Sequence, residues 1–222
     1  KKWIAFQLLF ALRQAHEKGV YHGDIKCENV LVTSWNWVYL SDFASAYKPT
    51  YLPADNPADF SFFFDAGSRR RCYVAPERFV DRVGTEAGQA DGIQEGATPG
   101  TGGRSPEVFS PTASQTQGEL NGAMDIFSLG CVLAELYMEG KSLFDLSELH
   151  AYRRGEYDPA TIMASKVKDE KMRALILHMI QLDPSKRLTA KEYLSSNEWM
   201  AGKGSGGDGQ DRNHAIFPPY MT

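Results

Sequence analysis

Two carboxylates, a lysine and a side-chain amide stand at spacings suited to moving a phosphoryl group. Asp24, Lys26 and Asn29 fall within His22-Gly23-Asp24-Ile25-Lys26-Cys27-Glu28-Asn29, and Asp42 follows in Ser41-Asp42-Phe43-Ala44. Phosphoryl transfer needs little covalent help, so a protein contributes position and compensating charge. Asp24 suits the task of orienting an attacking hydroxyl and taking its proton. Lys26 suits neutralising the migrating charge, and Asn29 with Asp42 suits holding magnesium on the phosphates. A lone loop aspartate is more often a cap or turn residue, and a lone histidine more often structural. The four positions taken together carry the chemical reading.

Such a set needs a frame. Val30-Leu31-Val32-Thr33 and Val38-Tyr39-Leu40 are β-branched or aromatic runs flanking Ser34-Trp35-Asn36-Trp37. They predict a short hairpin that returns Asp42 to the neighbourhood of Asn29. Helical spacing predicts a helix over 3–18 that stops at Gly19, and a second, apolar almost all round, over 125–138 with Asp125 placed to cap its start. A third is predicted over 170–182, closed by Asp183-Pro184. Thr189 and Glu192 read as a capping box for a last helix.

Other stretches do not read as packed structure. Residues 81–122 hold nine of the twenty glycines and few large apolar side chains, which predicts a disordered surface insertion. Its Thr98-Pro99, Ser105-Pro106 and Ser110-Pro111 offer proline-directed phosphorylation sites, although such dipeptides are common in any flexible loop. Residues 201–211 read as a linker and Ile216-Phe217-Pro218-Pro219-Tyr220 as an apolar tail. The Phe60, Phe62, Phe63, Phe64 cluster is expected to be packed or pinned, whereas Arg69, Arg70 and Arg71 read as a solvated face or a contact for an acidic partner.

The 222 residues are 42% hydrophobic and 23% charged, enough to bury a core in one soluble domain. A net charge of −4 argues against nucleic acid as the main partner. Cys27, Cys72 and Cys131 show neither an even count nor C-x-x-C spacing, so a reducing, cytoplasmic setting fits better than a disulfide framework or zinc site. No apolar run reaches the roughly 18 residues of a membrane span.

The motif from His22 to Asn29, followed by Asp42-Phe43-Ala44, resembles the catalytic loop and D-F-G of protein kinases. Ala75-Pro76-Glu77 matches the family's A-P-E, Arg187 its arginine partner, and Asp125-Ile126-Phe127-Ser128-Leu129-Gly130 its D-x-W-S-x-G. The resemblance implies a mainly α fold: the large (C-terminal) lobe of a protein kinase with a small catalytic-loop hairpin over 1–200, then a linker and tail over 201–222. It implies that His22 braces the loop, that Asp125 supports the loop backbone, and that Leu31 floors the adenine pocket. ATP or GTP and Mg2+ are the implied cofactors, and Lys26 marks the serine/threonine form.

Gly23 replaces the arginine of H-R-D, and Ala44 the glycine of D-F-G. The first removes the usual receptor for an activation-loop phosphate, and the second restricts a flip of the segment. The glycine-rich loop, β3 lysine and αC glutamate of the small lobe are absent from residues 1–222, which alone are expected to be inactive. The Trp35–Ser45 and Arg70–Phe79 runs resemble the regulatory kinase subunit of class III phosphatidylinositol 3-kinase, the vacuolar protein-sorting fifteen family. That likeness implies partnership with the lipid kinase catalytic subunit and a Beclin-like subunit, on endosomal and autophagic membranes reached through parts outside this chain. An active protein kinase and a pseudokinase-like, nucleotide-binding scaffold are the main readings. A small-molecule phosphotransferase of the aminoglycoside or choline kinase kind shares H-G-D-x-x-x-x-N but is disfavoured by Glu77, Asp125 and Arg187.

Overall fold

The computed structural model describes residues 1–43, 52–53, 71–80 and 121–195. Ala44, the Phe60–Phe64 cluster, Arg69, Arg70, residues 81–120 of the expected insertion and the 201–222 linker and tail lie outside the described residues. Helix α1 (Lys2–His16) leads through a 3-10 turn (Cys27–Asn29) into strands β1 (Val30–Val32) and β2 (Val38–Leu40). Strand β3 (Leu52–Pro53), a 3-10 turn (Pro76–Arg78) and strand β4 (Phe79–Val80) follow. Helices α2 (Gly122–Tyr137), α3 (Leu146–Arg153), α4 (Pro159–Lys166), α5 (Glu170–Met179) and α6 (Ala190–Ser195) complete a mostly helical fold.

Helix α2 is the central element, with Met124 to Glu135 buried without a break. An unbroken buried run needs partners on every side, and α1 and α5 supply two of them. Gly130 lets α5 approach closely: a Cβ there would stand 2.8 Å from Ile180 Cγ2 and 3.0 Å from Met179 Cβ. On α5 the expected stripe of Met172, Leu175, Ile176, Met179 and Ile180 is buried. On α1 the stripe of Ala5, Leu8, Leu9 and Leu12 is fully buried, and α6 covers the same helix.

The hairpin forms with β1 and β2 antiparallel, in the register Val30↔Leu40, Leu31↔Tyr39 and Val32↔Val38. Thr33 belongs to the turn rather than to β1: its Oγ1 accepts from Trp37 N–H at 3.1 Å, and Asn36 turns the chain at φ +61°. Gln7, nearly buried on α1, locks the hairpin in place. Its Nε2 donates to Asn36 O at 2.8 Å, and its Oε1 accepts from Val38 N–H at 3.1 Å.

Helix ends are where the structure corrects the sequence reading. Helix α1 closes at His16, with Gly19 (φ +69°) turning the chain after it. Helix α2 begins at Gly122, so Asn121 and Gly122 belong to it and not to the insertion. Asn121 Oδ1, not Asp125, caps it by accepting from Ala123 N–H at 2.8 Å. Asp125 lies inside the first turn, where its carboxylate is free for another task. The Thr189–Glu192 capping box forms as expected, with Thr189 N–H donating to Glu192 at 2.8 Å and Glu192 N–H to Thr189 Oγ1 at 3.2 Å.

Candidate active site

The loop between α1 and β1 hangs on Asp125, which is 1% exposed. Its Oδ2 accepts from His22 N–H and its Oδ1 from Gly23 N–H, each at 2.8 Å, while His16 Nε2 lies 3.0 Å from Oδ2. One buried carboxylate thereby satisfies donors from α1 and from two successive loop residues. Burying a charge is tolerable only with this degree of hydrogen bonding.

His22 is fully buried and stacks on Phe43 with ring centroids 4.3 Å apart. Asp24 N–H donates to its Nδ1 (3.3 Å), so Nε2 carries the hydrogen and donates to Ser41 O (2.9 Å). The ring thereby joins the loop to the residues just after β2, where Asp42 lies. Burial holds its pKa below the ordinary histidine value, against the opposing pull of Asp125. The unfolded chain then binds a proton below about pH 6.5 that the folded chain refuses. Stability is expected to fall as pH drops through that window and to be unaffected above it. Thermal midpoints between pH 7.5 and 5.5 test this; a His22→Gln variant with the wild-type slope would refute it.

Asp24, Lys26 and Asn29 converge. Lys26 Nζ lies 2.8 Å from Asp24 Oδ2, and Asn29 Nδ2 donates to Asp24 O (2.8 Å) and Oδ2 (3.2 Å). Asn29 is only 4% exposed, so its amide is a fixed part of the loop. Ser41 links it to Asp42: Ser41 N–H donates to Asn29 O at 2.9 Å, and its Oγ lies 3.5 Å from Asp42 Oδ2. Asp42 itself is exposed and sits at φ +57°, a left-handed backbone state that aspartate tolerates better than most non-glycine residues. Leu31 presents 52% of its surface from β1.

Among the described residues no group of three or more His, Cys, Asp or Glu is placed to hold a metal. The donor set here is of another kind. With Asn29 Nδ2 committed to Asp24, Oδ1 is the atom left for a cation, and Asp42 adds a carboxylate. Hard oxygen donors in small number, supplemented by phosphate and water, suit magnesium. A pocket lined by Asp24, Lys26, Glu28, Tyr73, Arg78 and Ser128 opens beside the loop.

The segment 71–80 closes the site from the other side. Glu77 and the buried Arg187 pair bidentately, with Nη1–Oε1 at 2.7 Å and Nη2–Oε2 at 2.9 Å. Ser128 Oγ, on α2, donates to Tyr73 O at 2.7 Å. Arg71 is not a solvated charge: it pairs with Glu135 on α2, and Tyr73 O–H donates to the same carboxylate at 2.6 Å. Arg78, 4% exposed, donates from Nη1 to Gly23 O at 2.8 Å. The sequence reading missed Arg78 and His16 as parts of the site. Their only local signals are adjacency to Ala75-Pro76-Glu77 and a place in the last turn of α1.

No protein-family model matches the chain. Over 196 residues, 88% of this chain, it is 50% identical to the serine/threonine-protein kinase VPS15 of Arabidopsis thaliana. It is 45% identical over 195 residues, 87% of this chain, to that of Saccharomyces cerevisiae. The chain is homologous to the VPS15 serine/threonine-protein kinases. A Dictyostelium discoideum relative, the "probable serine/threonine-protein kinase vps15", is 51% identical over all 222 residues. The chain spans about a tenth of the length of these relatives, 11%, 12% and 9% respectively.

This VPS15 homologue carries Cys27, Cys72 and Cys131. All three are free, and burial pushes the Cys27 and Cys72 thiols up to about 12, far from the thiolate a nucleophile needs. No helix among the described residues is long and apolar enough to cross a membrane.

Proposed function

We propose that this chain is the large lobe of a serine/threonine protein kinase domain, in the regulatory subunit of a class III phosphatidylinositol 3-kinase complex. The reaction is transfer of the γ-phosphate of ATP or GTP to a protein hydroxyl. The observation that carries it is the convergence of Lys26 and Asn29 on Asp24 in a loop held by Asp125. With Oδ2 engaged by both neighbours, Asp24 Oδ1 is the oxygen left to orient the substrate hydroxyl and accept its proton. Lys26 offsets charge on the transferring group from beside that carboxylate. Asn29 Oδ1 and Asp42 hold Mg2+, which when bound neutralises charge on the phosphates. Leu31, exposed on β1, supplies an apolar surface for the base.

The wider setting in this reading is the one implied by the likeness to the vacuolar protein-sorting fifteen family: a lipid kinase catalytic subunit and a Beclin-like subunit as partners, acting in endosomal sorting and autophagy. The domain is cytoplasmic, and its membrane attachment lies in parts outside this chain. A second reading, a nucleotide-binding scaffold with little turnover, is favoured by Gly23 and Ala44 at positions where active kinases carry arginine and glycine. The small-molecule phosphotransferase reading has the Glu77–Arg187 pair against it, since this pair anchors a segment of protein kinase type.

Assaying the full-length protein in its lipid kinase complex decides between them. Magnesium-dependent nucleotide binding with measurable phosphate transfer to protein is the expected result. Nucleotide binding with no transfer would install the scaffold reading, and absence of both would remove nucleotide chemistry from this chain.

A further inference from the structure

We infer that Arg78 is a positioning residue for the catalytic loop, acting on Gly23 from a segment 55 residues away in sequence. The inference deepens the kinase reading and rests on it for its kinetic consequences, but not for its structural ones.

Gly23 precedes Asp24 and is the loop residue with the least backbone restraint of its own. It sits at φ +75°, a conformation glycine adopts without the steric cost that a Cβ imposes. The same freedom would let the peptide on either side of it rotate and swing Asp24 away from Lys26 and Asn29. Both peptide groups of Gly23 are instead held by ionised side chains from distant segments. Its N–H donates to Asp125 Oδ1 at 2.8 Å, and its C=O accepts from Arg78 Nη1 at 2.8 Å. Asp125 is 1% exposed and Arg78 4%, so both bonds to Gly23 come from buried, ionised side chains, and such charge-assisted bonds are stronger than neutral ones. Burial holds the Arg78 guanidinium below its ordinary pKa, and the carboxylates of Asp125, Asp24 and Glu77 oppose that shift without cancelling it.

The placement also says how the clamp is delivered. Glu77, the neighbour of Arg78, is tied to Arg187 near the carboxy-terminal helices. Two successive residues of opposite charge therefore reach to opposite sides: one anchors the segment to the lobe and the other fixes the loop. Docking of residues 71–80 and the geometry at Asp24 become one event, and the guanidinium that fixes the loop needs no phosphate to complete it.

The test uses the full-length protein with Arg78→Lys, which keeps the charge but loses the reach, and Arg78→Met, which loses both. Amide exchange in residues 22–26 is expected to rise at least tenfold in Arg78→Met and by less in Arg78→Lys, with exchange in α2 and α5 unchanged. In parallel, kcat is expected to fall in the order wild type, Arg78→Lys, Arg78→Met, by at least tenfold at the end of the series, with KM for the nucleotide within twofold throughout. If Arg78→Met does not fold, the exchange and kcat of Arg78→Lys decide. Exchange that is unchanged at 22–26, or that rises equally across the lobe, overturns the inference. A wild type with no phosphate transfer would defeat the kinase reading alone, because the exchange arm still decides the positioning role.

Discussion

Replacing Arg187 with alanine is expected to destabilise the domain by about 3–5 kcal/mol, the range for breaking a buried pair by deleting one partner. The guanidinium has five N–H donors, and all five are used. Nε donates to Gln181 O at 2.7 Å, and the two Nη groups donate to Glu77, Ala123 O and Leu182 O between 2.7 and 3.1 Å. The side chain is completely buried and lies over the Phe127 ring at 5.0 Å. Alanine would leave three carbonyls and a carboxylate without their donor and open a void beside Phe127. Glu77, 18% exposed, can recover some water, so the effect should be smaller for Glu77→Gln than for Arg187→Ala only if the buried arginine then keeps its carbonyl partners. Chemical denaturation of both single variants and the double variant measures the coupling. A midpoint for Arg187→Ala close to wild type would show that the pair contributes nothing to stability.

The second large effect is chemical. Asp24→Asn keeps the shape and most hydrogen bonding of the side chain but removes the proton acceptor. Transfer to protein is expected to slow by about 10²–10⁴, the usual contribution of a positioned general base. Nucleotide affinity should change little, because Asp24 is not among the residues assigned to hold the metal. Turnover and nucleotide affinity measured on the full-length complex separate the two. Undiminished turnover in Asp24→Asn would exclude Asp24 as the base, whereas a parallel loss of nucleotide affinity would move it into the binding site.

The chemistry-bearing set, the hairpin and the apolar central helix were legible because each depends on short-range spacing. Asp24 and Asn29 share one loop, the β-branched or aromatic runs Val30 to Thr33 and Val38 to Leu40 flank a short turn, and Thr189 and Glu192 find each other within a single turn. The likeness to kinase motifs added the Glu77–Arg187 pair, which spacing alone would not have joined. What spacing alone could not reveal is where the long-range charges go. Spacing made Asp125 a cap and the kinase likeness made it the support of the loop backbone; Asn121 caps the helix, and Asp125 reaches His22 and Gly23 more than 100 residues earlier. Arg71 looked solvated beside two other arginines, yet Glu135 takes it into the lobe. Arg78 carried no signal beyond its adjacency to Ala75-Pro76-Glu77, which does not point to the Gly23 carbonyl that its guanidinium meets. Local periodicity reports which face of an element is apolar, whereas the partner of a buried charge is chosen by whichever opposite charge or orphan peptide group the folded core brings within about 3 Å, and only the tertiary arrangement determines that.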